Sequence, residues 1–307
     1  MLFSLPVLAQ NPLEGFRGNG SAGLAIPGAG AAYNSVAVYD IDGNPENGLE
    51  IIHAGTDGTV SAVSATGKVL WTSSTPTCRS ASDSNQTLSS PAVGELFGDG
   101  VPYVVIGYGG VATSRSCPGG VIAFNALTGK KRWNFNVKRY DKVERYWAFS
   151  NTVVSTPALA DVDGNGTLEI GFGSFDRKVY LLDARGKPIF DLVVADTVWS
   201  SATFVDTDND GTLEMVIGTD ISRNDKLVPP TKDGGMVYAL RTSFTRKYRK
   251  AKTRGDQGRF RKTMNFWFRD PEVILWSRYL PQAVYSAPSV GEVLESSSGP
   301  EIVVGSG

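Results

Sequence analysis

A nine-residue sentence written twice constrains this chain more than any other feature. Asp206-Thr207-Asp208-Asn209-Asp210-Gly211-Thr212-Leu213-Glu214 leads into Met215-Val216-Ile217-Gly218, and Asp161-Val162-Asp163-Gly164-Asn165-Gly166-Thr167-Leu168-Glu169 leads into Ile170-Gly171-Phe172-Gly173. Oxygen-bearing side chains at alternate positions of a glycine-turned loop converge on one point, which suits a hard cation that collects roughly six to eight oxygens. The closing Glu opens an apolar run, whereas an EF-hand places its bidentate Glu at about position 12, between helices. The expectation is Ca²⁺ held in strand-to-strand hairpins. One set is Asp206, Asp208, Asp210, Thr212 and Glu214; the other is Asp161, Asp163, Asn165, Thr167 and Glu169. A looser copy, Asp40-Ile41-Asp42-Gly43-Asn44, reaches its acid at Glu50 before Ile51-Ile52, so Asp40, Asp42, Asn44 and Glu50 form a third set. Two further copies, Glu95 to Gly100 and Glu292 to Glu295, lack the ligand spacing. A solvated Asp/Asn/Gly turn is the alternative for any single copy, and repetition between apolar runs weighs against it.

The loops recur within a larger repeat. Each follows a short segment of small and β-branched residues, such as Ser35-Val36-Ala37-Val38-Tyr39, Ser90-Pro91-Ala92-Val93 or Ser201-Ala202-Thr203-Phe204-Val205. Each of the first four apolar runs is followed by further strand patterns. Val60-Ser61-Ala62-Val63, for example, turns through Thr66-Gly67-Lys68 into Val69-Leu70-Trp71. Self-similarity at a few tens of residues with four strands per unit is the signature of a β-propeller. The predicted class is therefore all-β, with four-stranded antiparallel blades at about 33–73, 88–137, 153–194 and 199–280 and a partial fifth at 285–307. The fifth stops after its second strand, so an incomplete ring cut from a longer chain is expected.

Two motifs carry a resemblance to known families. The D-x-D-x-[DN]-G-x-x-E hairpins followed by Ile-Gly-Phe-Gly or Val-Ile-Gly-Thr resemble the FG-GAP (VCBS) repeats of integrin α-subunit propellers and of many bacterial exported proteins. The segment Ala123-Phe124-Asn125-Ala126-Leu127-Thr128-Gly129-Lys130, ending at Trp133, is similar to the outer-strand motif of pyrroloquinoline quinone (PQQ) enzyme propellers. That second resemblance implies that the Trp docks on the neighbouring blade. Together they cover roughly residues 33–307 and speak to fold, because one fold carries many activities.

The ends and the cysteines bear on location. Residues 1–10 read as the remnant of a signal peptide, with Val7-Leu8-Ala9 as a small-residue cleavage site, although no positive region precedes it; an ordinary apolar N-terminus is the alternative. Residues 11–32 form a Gly-rich segment, and no apolar stretch reaches the roughly 20 residues of a membrane helix. Cys78 and Cys117 are the only cysteines, and the repeat pattern puts both in loops at one end of the propeller. An even count with an export signal favours a disulfide; two separate thiols are the alternative.

Charge is unevenly spread. Residues 241–270 hold 11 Lys and Arg against 2 Asp, a net +9 in a chain whose total is −1. This basic, aromatic-rich insertion between strands three and four of blade four either binds an anionic partner or folds back on the acidic loop face. The second reading is preferred, and export argues against nucleic acid. Enzymatic signals are sparse: His53 is the only histidine and falls in a strand, which argues for a structural role. Loops 108–119, 138–153 and 220–235 lie at the end opposite the metal hairpins, and the middle one is rich in aromatic and charged residues that suit recognition of a protein or glycan; the alternative is that these loops only cover the ends of the sheets. The sequence thus points to a non-enzymatic, calcium-stabilised binding or adhesion propeller that is secreted, periplasmic or at the cell surface. The rival reading is an enzyme on the same scaffold, a PQQ-type dehydrogenase or a polysaccharide-acting protein.

Overall fold

The computed structural model describes residues 34–76, 87–110, 118–137, 151–221, 232–243, 273–294 and 299–307. Cys78 and Cys117, residues 1–32, most of the basic insertion and the centres of the three long loops lie outside them. Among the described residues, eighteen strands build five antiparallel sheets, each in plain sequence order. Blade one comprises β1 (Ala37–Tyr39), β2 (Glu50–Ala54), β3 (Thr59–Val63) and β4 (Val69–Ser74); blade two comprises β5 (Ala92–Gly94), β6 (Tyr103–Tyr108), β7 (Gly120–Asn125) and β8 (Lys131–Asn136). Blade three is β9 (Ala158–Ala160), β10 (Glu169–Ser174), β11 (Lys178–Leu182) and β12 (Pro188–Val193). Blade four is β13 (Thr203–Val205), β14 (Glu214–Ile221), β15 (Gly234–Leu240) and β16 (Ile274–Leu280). The fifth sheet pairs β17 (Ser289–Gly291) with β18 (Glu301–Val303). The protein is a β-propeller with four complete blades and, among the described residues, a two-stranded fifth. Its inner strands β1, β5, β9, β13 and β17 adjoin one another in series.

The core lies between blades. Alternate residues of a strand point to opposite sheet faces, so a middle strand sandwiched between two blades is apolar on both. In β6, Val104, Ile106 and Tyr108 pack toward blade one, while Tyr103 and Val105 pack toward blade three. The second strands also carry glycines that the packing requires. A Cβ on Gly107, Gly173 or Gly218 would fall 2.6, 2.0 or 2.2 Å from a methyl carbon of Val153, Val198 or Val284 respectively. Each valine comes from the linker that enters the next blade.

Outer strands are keyed to the next blade by one aromatic ring. Trp71 pairs with Ala62, Trp133 with Ala123, Phe190 with Leu181 and Trp276 with Ala239, each one step before a bulge in the ladder. The Trp71 indole N–H donates to the Ala126 carbonyl (2.6 Å) and that of Trp133 to the Ala184 carbonyl (2.9 Å). Each ring covers the turn glycine of the following blade: a Cβ on Gly129 or Gly186 would sit 2.6 or 2.7 Å from indole carbons of Trp71 or Trp133. The docking expected from the outer-strand motif is therefore present at both tryptophans.

Candidate functional site

The acidic loops occupy the turns joining first to second strands, so they share one end of the propeller with the turns joining third to fourth. Each loop is organised from its base. Glu50, Glu169 and Glu214 are the first residues of β2, β10 and β14, and all three are buried. One oxygen of each caps the start of its loop. Glu50 Oε2 accepts the Ile41 N–H (2.9 Å), Glu169 Oε2 that of Val162 (3.0 Å) and Glu214 Oε2 both the N–H (2.9 Å) and hydroxyl (2.8 Å) of Thr207. The other oxygen makes none of these bonds. Burial, and then the neighbouring carboxylates of Asp163 and Asp161, push the Glu169 carboxyl up to about 7. Glu214 is raised for the same reasons, burial first and Asp208 and Asp210 after it.

Above the glutamates the first Asp of each loop ties the turn together. Asp161 accepts the N–H of Asn165 (3.0 Å) and of Gly166 (2.8 Å), and Asp206 accepts those of Asp210 (3.1 Å) and Gly211 (2.9 Å). In the looser loop Asp40 and Asp42 both receive the Asn44 N–H (3.1 and 3.0 Å), and Asn44 caps a single 3-10 turn, Pro45–Asn47, that absorbs the extra residues. Carboxylate oxygens then gather. Asp40, Asp42 and Glu50 bring one oxygen each within 4.8 Å of one another, as do Asp161, Asp163 and Glu169, and Asp206, Asp208 and Asp210. The fold thus brings together the acids singled out in all three loops, except that Glu214 stays on the Thr207 side of its set. Asn165 turns its side-chain oxygen to the Thr167 N–H (2.8 Å), and Asp210 does the same for Thr212 (2.8 Å). Three oxygen-rich clusters of this kind could each hold a metal ion.

The ligand-poor copies have a different place. The Leu96 carbonyl accepts the Leu168 N–H (3.0 Å), and a Cβ on Gly98 would lie 2.5 Å from the Gly166 carbonyl, so the blade-two loop buttresses the blade-three cluster. In blade five, Glu301 repeats the anchoring role, its Oε2 accepting the N–H groups of Val293 (2.7 Å) and Leu294 (3.1 Å). Glu301 stands outside the acids singled out in the sequence for this blade, Glu292 and Glu295. The signal was available, since Glu301 precedes Ile302-Val303-Val304-Gly305 as Glu169 precedes Ile170-Gly171-Phe172-Gly173.

Beside the blade-three cluster runs a cleft of about 570 Å³, bordered by Phe97, Asp163, Glu169, Asp183 and Arg185. The first residue of the basic insertion faces the same end, with a guanidinium nitrogen of Arg241 3.7 Å from Asp208 Oδ2.

No family model matches the chain, and neither does any curated protein. Solved structures are similar to it. The quinohemoprotein alcohol dehydrogenase of Comamonas testosteroni aligns at 17% identity over 62% of this chain and 32% of its own, with a TM-score of 0.43. BamB from Moraxella catarrhalis aligns at 15% identity over 84% of this chain and 55% of its own, TM-score 0.42, and the Pseudomonas aeruginosa PilY1 C-terminal domain at 14% over 84% and 52%, TM-score 0.47. The chain spans between a third and just over half of these neighbours.

The remaining singled-out residue is His53. It sits buried in β2, paired with Ser61 of β3, and burial lowers its pKa. No helix among the described residues is long and apolar enough to cross a membrane.

Proposed function

We propose that this chain is a calcium-stabilised, non-enzymatic binding propeller that works outside the cytoplasm, built from FG-GAP-type repeats. Ca²⁺ would be held by the three loops, with the second and third as the fullest sets: Asp161, Asp163, Asn165, Thr167 and Glu169, and Asp206, Asp208, Asp210, Thr212 and Glu214. The observation that carries the reading is the shared scaffold. Three loops from three blades each gather three carboxylate oxygens within 4.8 Å. Like charges so close repel, and a divalent cation removes the repulsion. Ca²⁺ fits oxygen-only donors better than transition metals do, since the described clusters contain neither sulfur nor imidazole.

In this reading the metal end is structural, and ligands, protein or glycan, are met at the opposite end, where the second-to-third strand turns and the interblade linkers lie. Export goes with a Cys78–Cys117 disulfide, which peptide mapping without reduction would detect as a linked pair. Calorimetric titration of the metal-stripped chain tests the metal assignment. The reading requires saturable calcium binding that Asp208→Ala and Asp163→Ala each reduce by about one site. Absence of heat and of binding at millimolar calcium would overturn it.

A further inference from the structure

The end opposite the metal loops carries a feature that repeats from blade to blade. Val198-Trp199-Ser200 enters blade four and Val284-Tyr285-Ser286 enters blade five. Val198 and Val284 fill the notches at Gly173 and Gly218, and Ser200 Oγ donates to the Ser286 carbonyl (2.8 Å), so the two linkers are fixed relative to each other. The residue between valine and serine points neither into the core nor into the seam. In these adjacent blades it is aromatic. Trp199 and Tyr285 stand 5.6 Å apart between ring centroids at 75°, yet remain 40% and 50% exposed. Buried Phe175 lies against Trp199 at 4.4 Å, and the indole N–H donates to Thr197 Oγ1 (3.2 Å), which holds the ring in place.

A carboxylate adjoins this corner. Asp220 of β14 donates its N–H to the Thr197 carbonyl (3.1 Å), and the carbonyl of Thr219 accepts the Val284 N–H (3.3 Å), so Asp220 is tied to both linkers. Asp196 nearby pairs with Arg177 (3.8 Å). Asp220 has no cationic partner among the described residues. Burial first, then the charges of Asp196 and Asp233, raise its pKa, and the Asp220 charge adds to burial in raising the Tyr285 phenol.

We propose that Trp199, Tyr285 and Asp220 form a receptor for an organic cation, an alkylammonium or guanidinium group. Aromatic faces attract cations through the ring quadrupole, most strongly for Trp, and perpendicular rings make a corner that surrounds a bulky cation. The carboxylate supplies the counter-charge that a neutral apolar ligand could not use. This assignment rests on the reading of this end as the binding face, and it gives that face a ligand chemistry.

The test titrates the full 307-residue chain with choline, with N-acetylarginine amide and with 3,3-dimethylbutanol, the neutral isostere of choline, reading tryptophan fluorescence and heat. Saturable binding of at least one cation is expected, with the isostere weaker by about tenfold or more. Trp199→Ala and Asp220→Asn should each weaken the cation by about tenfold, and Lys130→Ala at the far end should leave it unchanged. Tighter choline identifies a small quaternary ammonium; tighter arginine amide identifies a basic side chain of a partner. Equal affinity for the isostere, unchanged binding in Asp220→Asn, or no saturable binding of either cation would overturn the assignment. The isostere comparison needs only the wild-type chain, so it decides even if a variant fails to fold. A chain that melts higher in calcium but binds neither cation loses this inference alone, and one that binds choline but ignores calcium loses the metal assignment alone.

Discussion

At the scale of single residues, the packing makes two sharp demands. The first is at the turn after β10, where Asp176 accepts the Tyr180 hydroxyl while its Oδ1 is buried with no hydrogen-bond partner among the described residues. Burial raises its pKa from 3.8 to about 6, against the lowering pull of Tyr180 and Lys178. A carboxyl whose folded pKa is raised stabilises the fold below the unfolded value and loses that contribution as pH rises through the folded one. Asp176→Asn should therefore match the wild type near about pH 4 and exceed it above about pH 7, by on the order of 2–3 kcal/mol. Urea unfolding across that range measures it, and a pH-independent difference would contradict the assignment. The second demand is the ring-on-glycine contact. Gly129 combines a φ of 66° with a site covered by the Trp71 indole, so Gly129→Ala should cost about 1–3 kcal/mol and Trp71→Ala about 3 kcal/mol. The double variant should cost less than the sum, because removing the ring removes the clash.

At the scale of elements, the hairpins were the legible part. A Glu closing an Asp-rich loop before an apolar run marked the first residue of β2, β10 and β14, because a buried acid there must meet backbone N–H groups and the strand begins where it does so. The Gly-Lys turns and outer-strand tryptophans likewise announced β4 and β8. What the sequence hid lies between elements. Ser89 donates its hydroxyl to the Ser155 carbonyl (2.9 Å), 66 positions away, and accepts the Gly107 N–H (3.1 Å), yet in sequence it is one serine of a pair. Trp199 and Tyr285 were overlooked for a related reason: the long loops 108–119, 138–153 and 220–235 stood out by length, whereas the exposed rings sit in short linkers 86 positions apart. Only the blade repeat makes such residues neighbours. If the Ser89 seam joins blades as the geometry indicates, Ser89→Ala should lose about 1–2 kcal/mol, since it strips partners from two buried groups. A change within error in chemical unfolding would show that other contacts carry the seam.

At the scale of the whole molecule, the first and the last described sheets carry exposed apolar residues. β18 pairs only with β17 among the described residues, Val303 is exposed, and so are Val36 and Val38 at the first blade. Trp276 holds the register of Trp71 and Trp133, and on the side of the fifth sheet it joins Val290, Ile302 and Val304 in packing against the buried cluster of Val205, Val216, Val237, Ala239 and Val284. Unpaired edges and apolar flanks recruit other chains. Sedimentation of the 307-residue chain should show association that grows with concentration if Val36, Val38 and Val303 recruit other chains, and a monomer at all concentrations would contradict that.

The interblade cores and the acidic loops answer to one quantity, the stability of the arc with and without metal. Binding to the native state alone adds about 2.7 kcal/mol per site at a hundredfold excess over Kd, or roughly 5 °C or more in Tm for a chain of this size. Thermal unfolding of the full chain in millimolar calcium and in EDTA is the most direct test. A calcium-bound transition several degrees higher, with the gap narrowed by Asp208→Ala, is the predicted result. Superimposable melting curves in calcium and in EDTA would contradict it.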